Sequence, residues 1–389
     1  MVRTDISELR KFVAPEFVFG AGAATLTGQF AANLSVKKCL VVSCPDLARI
    51  GTPGDAMDSL ARAGVDSVLY THVTPNPRDI EVMEGADVYR REGCDAIVAV
   101  GGGSSMDCAK AIGIVCTNNQ HVLDFEGVDK VRYPAPPLIC IPTTAGTGAD
   151  VSQFCIINAT ERKVKIAIVS KTMVPDVALI DPLLTMTMDR DLTAHTGLDA
   201  LTHATEAFVS NASSAFTDLN ALEAVRLVHA HLLTAINEPD NLDARVGMML
   251  ASTYAGLAFS NAILGAVHAM AHSLGGLLDL PHGLCNAILL DHVVDYNFDA
   301  APEKYRQLGN ALGGSIPASA SLEEIKSGTL EAFRQLKRAA GVRDNLHELG
   351  VTSADLSKLA DCALADACML TNPKQPTKDE VMGIYEKAC

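Results

Sequence analysis

Between residues 38 and 182 short apolar, β-branched runs alternate with stretches whose apolar positions recur at helical spacing. That alternation predicts βαβ units and a parallel sheet covered by helices. Residues 38–43 (KCLVVS) predict a strand, and residues 52–63 a helix with Pro53 in its first turn and Gly64 as its stop. Residues 65–73 predict a second extended run, broken by Thr74-Pro75-Asn76-Pro77 ahead of a helix over 78–92 that stops at Gly93. Residues 96–100 (AIVAV) and 137–141 (PLICI) are continuous apolar runs of the kind buried between two helical layers. Each runs into a loop rich in glycine or threonine, and a helix from Met106 is expected after the first.

Beyond Asp181-Pro182 the pattern changes to long helical stretches rich in Ala and Leu, with no alternating strand. The expected fold is therefore an α/β domain over residues 1–182, a parallel sheet with flanking helices, followed by an all-α domain over 183–389. Residues 246–278 contain no Asp, Glu, Lys or Arg, long enough for a membrane span. The run holds Ser252, Ser260, Asn261, His268 and His272 and has no basic flank beyond Arg245, so a helix buried inside the α domain is the expectation.

Composition narrows the function. At 389 residues, 48% hydrophobic and 20% charged, the chain can bury large cores in about two domains. Its net charge of −15 repels phosphate backbones and anionic lipid surfaces, so neither a nucleic acid nor a membrane is expected as a partner. Eleven cysteines without a CxxC pair or regular spacing read as reduced thiols of a cytoplasmic protein. No apolar segment of secretory type is expected near the start.

The first loop, Gly101-Gly102-Gly103-Ser104-Ser105, lets a ligand approach the backbone and places amides at a helix start, an arrangement suited to pyrophosphate. A tight turn without ligand is the competing reading, because the spacing fits neither the Rossmann fingerprint nor a P-loop. The second loop, Pro142-Thr143-Thr144-Ala145-Gly146-Thr147-Gly148, adds hydroxyls at the end of another strand. Together they suggest a dinucleotide held by amides and hydroxyls, with Lys165 as a candidate ribose or phosphate contact.

Asp199 and His203 stand four apart in a helical run, His268 and His272 repeat the spacing, and His282 follows ten residues later. A single histidine on an apolar helix is ordinarily a satisfied core residue. Several imidazoles in a segment without charge need partners in common, and a metal supplies them. A carboxylate with imidazoles and no thiolate suits Fe²⁺ or Zn²⁺ in an open site able to act as a Lewis acid.

Gly101-Gly-Gly-Ser104, Pro142-Thr-Thr-Ala-Gly-Thr147, Asp181-Pro182, the run Thr196 to His203, His268-x3-His272 and Pro281-His282-Gly283 together resemble the iron-containing (group III) alcohol dehydrogenases. The resemblance spans nearly the whole chain. It implies metal ligands at Asp199, His203, His268 and His282, and a non-ligand histidine, His272, between metal and nicotinamide. It also implies an interdomain cleft, homodimers or higher homo-oligomers, and dinucleotide contacts from Gly102, Gly103, Ser104, Asp107, Thr143, Thr144, Thr147 and Lys165. Where NAD-preferring members often carry an Asp, this chain has Cys44, which leaves NAD and NADP both open; Asp46 is the alternative carboxylate. The implied reaction is hydride transfer between NAD(P) and a small alcohol or aldehyde, with His272 assisting the proton. A metal- and NAD-dependent cyclising lyase of the dehydroquinate synthase type is the alternative, although extra basic residues for a phosphorylated substrate are not apparent. A cofactor-binding sensor without turnover is the non-enzymatic alternative.

Overall fold

The structure, a computed structural model, describes residues 11–342 and 345–389. It divides into two compact units, one over residues 13–187 and one over residues 188–389 together with residues 11–12.

In the first unit the strands are β1 (Glu16–Phe19), β2 (Lys38–Val42), β3 (Asp66–Tyr70), β4 (Ala96–Gly101), β5 (Gly127–Val128), β6 (Leu138–Pro142), β7 (Phe154–Ala159), β8 (Val164–Val169) and β9 (Val177–Ile180). The helices are α1 (Thr27–Asn33), α2 (Pro45–Ile50), α3 (Thr52–Arg62), α4 (Asp79–Glu92) and α5 (Gly103–Asn118). Six strands form one sheet in the order β1-β9-β6-β4-β2-β3, every pairing parallel. Side chains of a strand point alternately to the two faces, and both faces here are covered. Leu40, Val42, Ile97 and Ala99 accordingly join one apolar cluster, while Cys39, Val41, Val98 and Val100 join another. That double burial is why these strands read as unbroken apolar runs.

Two expectations need correction. The sheet is not the only one: β5, β8 and β7 form a second, three-stranded sheet in which β7 and β8 pair antiparallel, Phe154 opposite Val169. The polar turn between Ala159 and Val164 allows the chain to double back. Helix α5 begins at Gly103, three residues before Met106. First-turn amides have no partner within the helix, so glycine and serine enter it at little cost and leave those amides available.

The second unit is helical among its described residues: α6 (Arg190–Val209), α7 (Ala215–Asn237), α8 (Leu242–Ala262), α9 (Ala266–Leu278), α10 (His282–Asn297), α11 (Pro302–Ala311), α12 (Leu322–Ala339), α13 (Leu356–Ala365) and α14 (Lys378–Ala388). The stretch without charge is not one helix. It breaks at Ile263–Gly265, and α8 and α9 meet at 99°. Ile263 turns the corner at φ 62°, ψ −171°, a conformation that β-branched residues rarely adopt. No single helix among the described residues is long and apolar enough to cross a membrane, and the residues of α8 and α9 are mostly buried within the protein. All eleven cysteines are free thiols.

Candidate metal centre and dinucleotide loops

Helix α6 carries Asp199 and His203 one turn apart, with Glu206 a further turn along the same face. The helix seats closely because Gly197 has no side chain: a Cβ there would lie 2.3 Å from Leu232 of α7 and 3.0 Å from Met248 of α8. Helix α10 begins at His282, and a Cβ on Gly283 would lie 2.7 Å from the His195 carbonyl oxygen, so its first turn abuts α6. Helix α9 is aimed by its N-terminus. Glu206 Oε1 accepts from Val267 N at 2.6 Å, and Asn372 Oδ1 accepts from Ala266 N at 3.0 Å. Acceptors at a helix start satisfy amides that otherwise have no partner, and the carboxylate is favoured there by the helix dipole. Gly265 makes room, since a Cβ on it would fall within 2.7 Å of Asn372 Oδ1 and 2.9 Å of Glu206 Oε1.

These three helices bring one donor atom each from Asp199, His203, His268 and His282 within 4.8 Å of one another. His268 Nε2 lies 3.7 Å and His282 Nε2 3.8 Å from Asp199 Oδ1, while His203 Nδ1 lies 3.9 Å from Asp199 Oδ2. His203 stacks on His268 with ring centroids 4.4 Å apart, and on Phe259 at 4.3 Å. Asp199, His203 and His268 are buried; the His282 side chain keeps 26% exposure.

The field of the cluster favours positive charge. Burial alone would raise the Asp199 carboxyl, but the charges of His203, His282 and His268 hold it well below its ordinary value. Burial would likewise lower His268, yet its hydrogen bonds to Asp199 and Glu206 push it up to about 9. A carboxylate accepts, so Glu206 Oε2, at 2.6 Å from His268 Nδ1, holds a hydrogen there; the second ring hydrogen, on Nε2 toward Asp199, is the one a bound cation would replace. One carboxylate and three imidazoles converging, with a second carboxylate behind one imidazole, fit a divalent cation of the Fe²⁺ or Zn²⁺ type.

His272 stands outside that set. Its ring stacks on His282 at 5.4 Å, and its Nδ1 lies 2.8 Å from Asp366 Oδ2. Asp366 Oδ1 in turn accepts from Cys368 N at 2.8 Å. Cys368 is close to both, but burial pushes its thiol well above the ordinary range, so it offers no thiolate. Sequence reading gives no role to Glu206 or Asp366. The i+3 step from His203 to Glu206 is a signal available in hindsight. Nothing local marks Asp366, 94 residues from its partner.

In the first unit Cys44, Gly102, Gly103, Ser104, Thr143, Thr144 and Thr147 lie at or just beyond the carboxyl ends of three adjacent parallel strands, β2, β4 and β6, whereas Asp107 lies within α5 and Lys165 in β8 of the second sheet. In open α/β sheets that edge is where nucleotides bind. A Cβ on Gly102 would lie 3.2 Å from Thr144, and one on Gly103 2.9 Å from Thr147, so the two loops face each other closely. Thr143 is buried beside them, and Ser104 lies in the first turn of α5. Cys44 stands at the start of α2, whose Leu47 packs near Gly101. The Asp107 carboxyl is pushed up to about 6 by burial, with Lys110, the Ile156 amide and Lys165 working the other way; Asp107 and Lys165 are therefore neighbours. Lys110, buried and unremarked in the sequence, donates to the carbonyls of Ser152 at 3.0 Å and Phe154 at 2.9 Å, strapping the end of the threonine loop to α5. Asp46 is paired with Arg49, which commits the one cation of that turn.

Residues 14–182 match the iron-containing alcohol dehydrogenase domain, and residues 193–389 the C-terminal domain of the Fe-containing alcohol dehydrogenase family. The 1,3-propanediol dehydrogenase of Klebsiella pneumoniae is 41% identical over 372 residues, 95% of this chain and 96% of that protein. The NAD-dependent methanol dehydrogenase of Bacillus methanolicus is 34% identical over 377 residues, 97% of this chain and 99% of that protein. A crystal structure of a 1,3-propanediol oxidoreductase superposes with a TM-score of 0.95 at 39% identity, covering 98% of this chain and all of that one. The chain belongs to the iron-containing alcohol dehydrogenase family. It is an oxidoreductase of the alcohol dehydrogenase type, and these relatives do not favour the cyclising-lyase alternative.

Proposed function

We propose that the chain interconverts a short primary alcohol or diol and its aldehyde, using NAD in preference to NADP, with Fe²⁺ held by Asp199, His203, His268 and His282. The convergence of those four donors within 4.8 Å carries the reading. A divalent cation in this set supplies a Lewis acid for the substrate oxygen, and a nicotinamide supplies the hydride carrier. Asp199 contributes the anionic donor. Glu206 orients His268 and adds negative charge behind it. Asp366 accepts from His272 Nδ1 and so leaves Nε2 with a lone pair that can hold and return the proton of the substrate hydroxyl. Gly102, Gly103 and Ser104 present helix-start amides to the pyrophosphate, Thr143, Thr144 and Thr147 add hydroxyls, Cys44 stands past the end of β2, and Asp107 of α5 with Lys165 of β8 are the remaining proposed contacts.

The preference for NAD is supported by the pairing of Arg49 with Asp46, which offers a 2′-phosphate little, and by the NAD-dependent relative. The short substrate is supported by relatives named for propanediol and methanol. We read the protein as cytoplasmic, which its eleven free thiols suit, and as a homodimer or higher homo-oligomer, which light scattering tests. The deciding experiment is a panel of short aldehydes and alcohols with each nicotinamide on anaerobically Fe²⁺-loaded protein. NADH oxidation by a short aldehyde is expected; no nicotinamide turnover with any of them would overturn the reading.

A further inference from the structure

Lys110 lies about two turns along α5 from Gly103, and only 1% of its surface is exposed. Its Nζ donates to the Ser152 carbonyl at 3.0 Å, to the Phe154 carbonyl at 2.9 Å and to Ser152 Oγ at 3.3 Å. Those three acceptors use all three hydrogens of the ammonium. Lysine is almost never fully buried, and a buried charge is costly unless it is fully bonded. Packing alone needs no ammonium at this position, because a methionine fills a similar volume.

The path of the chain shows what the ammonium holds. At the front of the threonine loop, Thr143 N donates to the Gly101 carbonyl at 3.0 Å, and Gly101 ends β4 directly ahead of α5. At the back, Gly148 turns the chain at φ 56°, and Ser152 and Phe154 lead into β7. The loop is thus tied at both ends to the strand and helix that carry the glycine loop, with Thr144 and Thr147 facing Gly102 and Gly103 between the two ties. Burial pushes the carboxyls of Asp107, one turn back on α5, and of Asp150, in the loop itself, up to about 6, and the Lys110 charge acts against that on both. Neither loop contains a Lys or Arg of its own.

We propose that Lys110 is a positioning residue for the dinucleotide: by anchoring the back of the threonine loop to α5, it sets the gap across which the glycine-loop amides and the threonine hydroxyls hold the pyrophosphate. This rests on the reading of those two loops as the dinucleotide site.

The test uses full-length, metal-loaded protein. Lys110→Met keeps the stem and removes the donors. The Kd for NADH by fluorescence titration, and the KM with it, should rise about tenfold or more. The kcat at saturating NADH should stay within about twofold, with metal content unaltered. A residue that served packing alone would instead lower the folded, active fraction and leave the Kd of the remainder as it was. An unchanged Kd therefore overturns the proposal, and so does a fall in kcat as large as the loss of affinity. Hydrogen exchange on the wild type gives a second test that does not depend on a variant folding. NADH should slow the amides of residues 143–154 together with those of residues 101–105; protection of residues 101–105 alone overturns the proposal. An unaffected Lys110→Met beside a wild type that binds NADH sinks this inference alone, whereas a wild type that binds neither NADH nor NADPH sinks the reading beneath it.

Discussion

His272 and Asp366 are joined by a 2.8 Å contact from Nδ1 to Oδ2, although 94 residues separate them along the chain. Burial by itself would raise the Asp366 carboxyl; the charge and hydrogen bond of His272 hold it below its ordinary value. The pair therefore fixes one ring tautomer. Asp366→Asn is expected to retain metal and lower kcat on the order of 10²-fold. His272→Ala should do the same, and the double variant should cost little more than either alone. Metal content by mass spectrometry with steady-state rates checks this; independent, additive losses would show that the two do not act as a unit.

Glu206 supports the donor set from behind. Glu206→Gln leaves the shape of the side chain but removes its charge, and the amide end facing His268 Nδ1 need no longer accept. Metal affinity should fall by about 10- to 100-fold, with the fold intact by circular dichroism. Unaltered affinity in chelator competition would reduce Glu206 to a cap for α9.

At the carboxyl edge of the sheet, Gly103→Ala would push a methyl to within 2.9 Å of Thr147. Thr147 must then turn its side chain away or the two loops must separate. The expected result is a rise of about tenfold or more in the Kd for NADH, equivalent to about 1.4 kcal/mol, with metal content unchanged. Fluorescence titration of NADH measures it, and equal affinity would mean that the loops do not grip the dinucleotide.

Asp291 of α10 is held below its ordinary pKa: burial opposes ionisation, but Lys337 at 2.5 Å and Arg334 at 2.9 Å from α12 outweigh it. A carboxyl depressed in the folded state adds stability above its unfolded pKa and loses it as pH falls through the folded one. The loss thus belongs below about pH 4. Asp291→Asn should cost about 1–3 kcal/mol at pH 7, discounted for the partly exposed cations, and flatten the dependence of Tm on pH in that acid range. Parallel wild-type and variant curves there would contradict it.

Much of this was legible in the residue pattern, for identifiable reasons. Strands buried on both faces, such as β4, leave unbroken apolar runs, and the pair Asp199 and His203 announces itself by helical spacing. The break at Ile263 does not, because Ile-Leu-Gly continues an apolar run and only the backbone reveals the corner. The hairpin of β7 and β8 was hidden because strand direction is set by tertiary pairing. Lys110 and Asp366 were hidden because a lone polar residue in a helix, or far along the chain, carries no local mark of what it meets.

All four proposed metal ligands come from residues 199 to 282, whereas the contacts proposed for the dinucleotide come from residues 44 to 165. Each binding event thus has its own stretch of polypeptide, and damage to one need not spread to the other. Protein stripped by chelator should still quench on adding NADH, and Gly103→Ala should still take up iron stoichiometrically. Inactive variants from any mutational survey can then be sorted by which of the two titrations has failed.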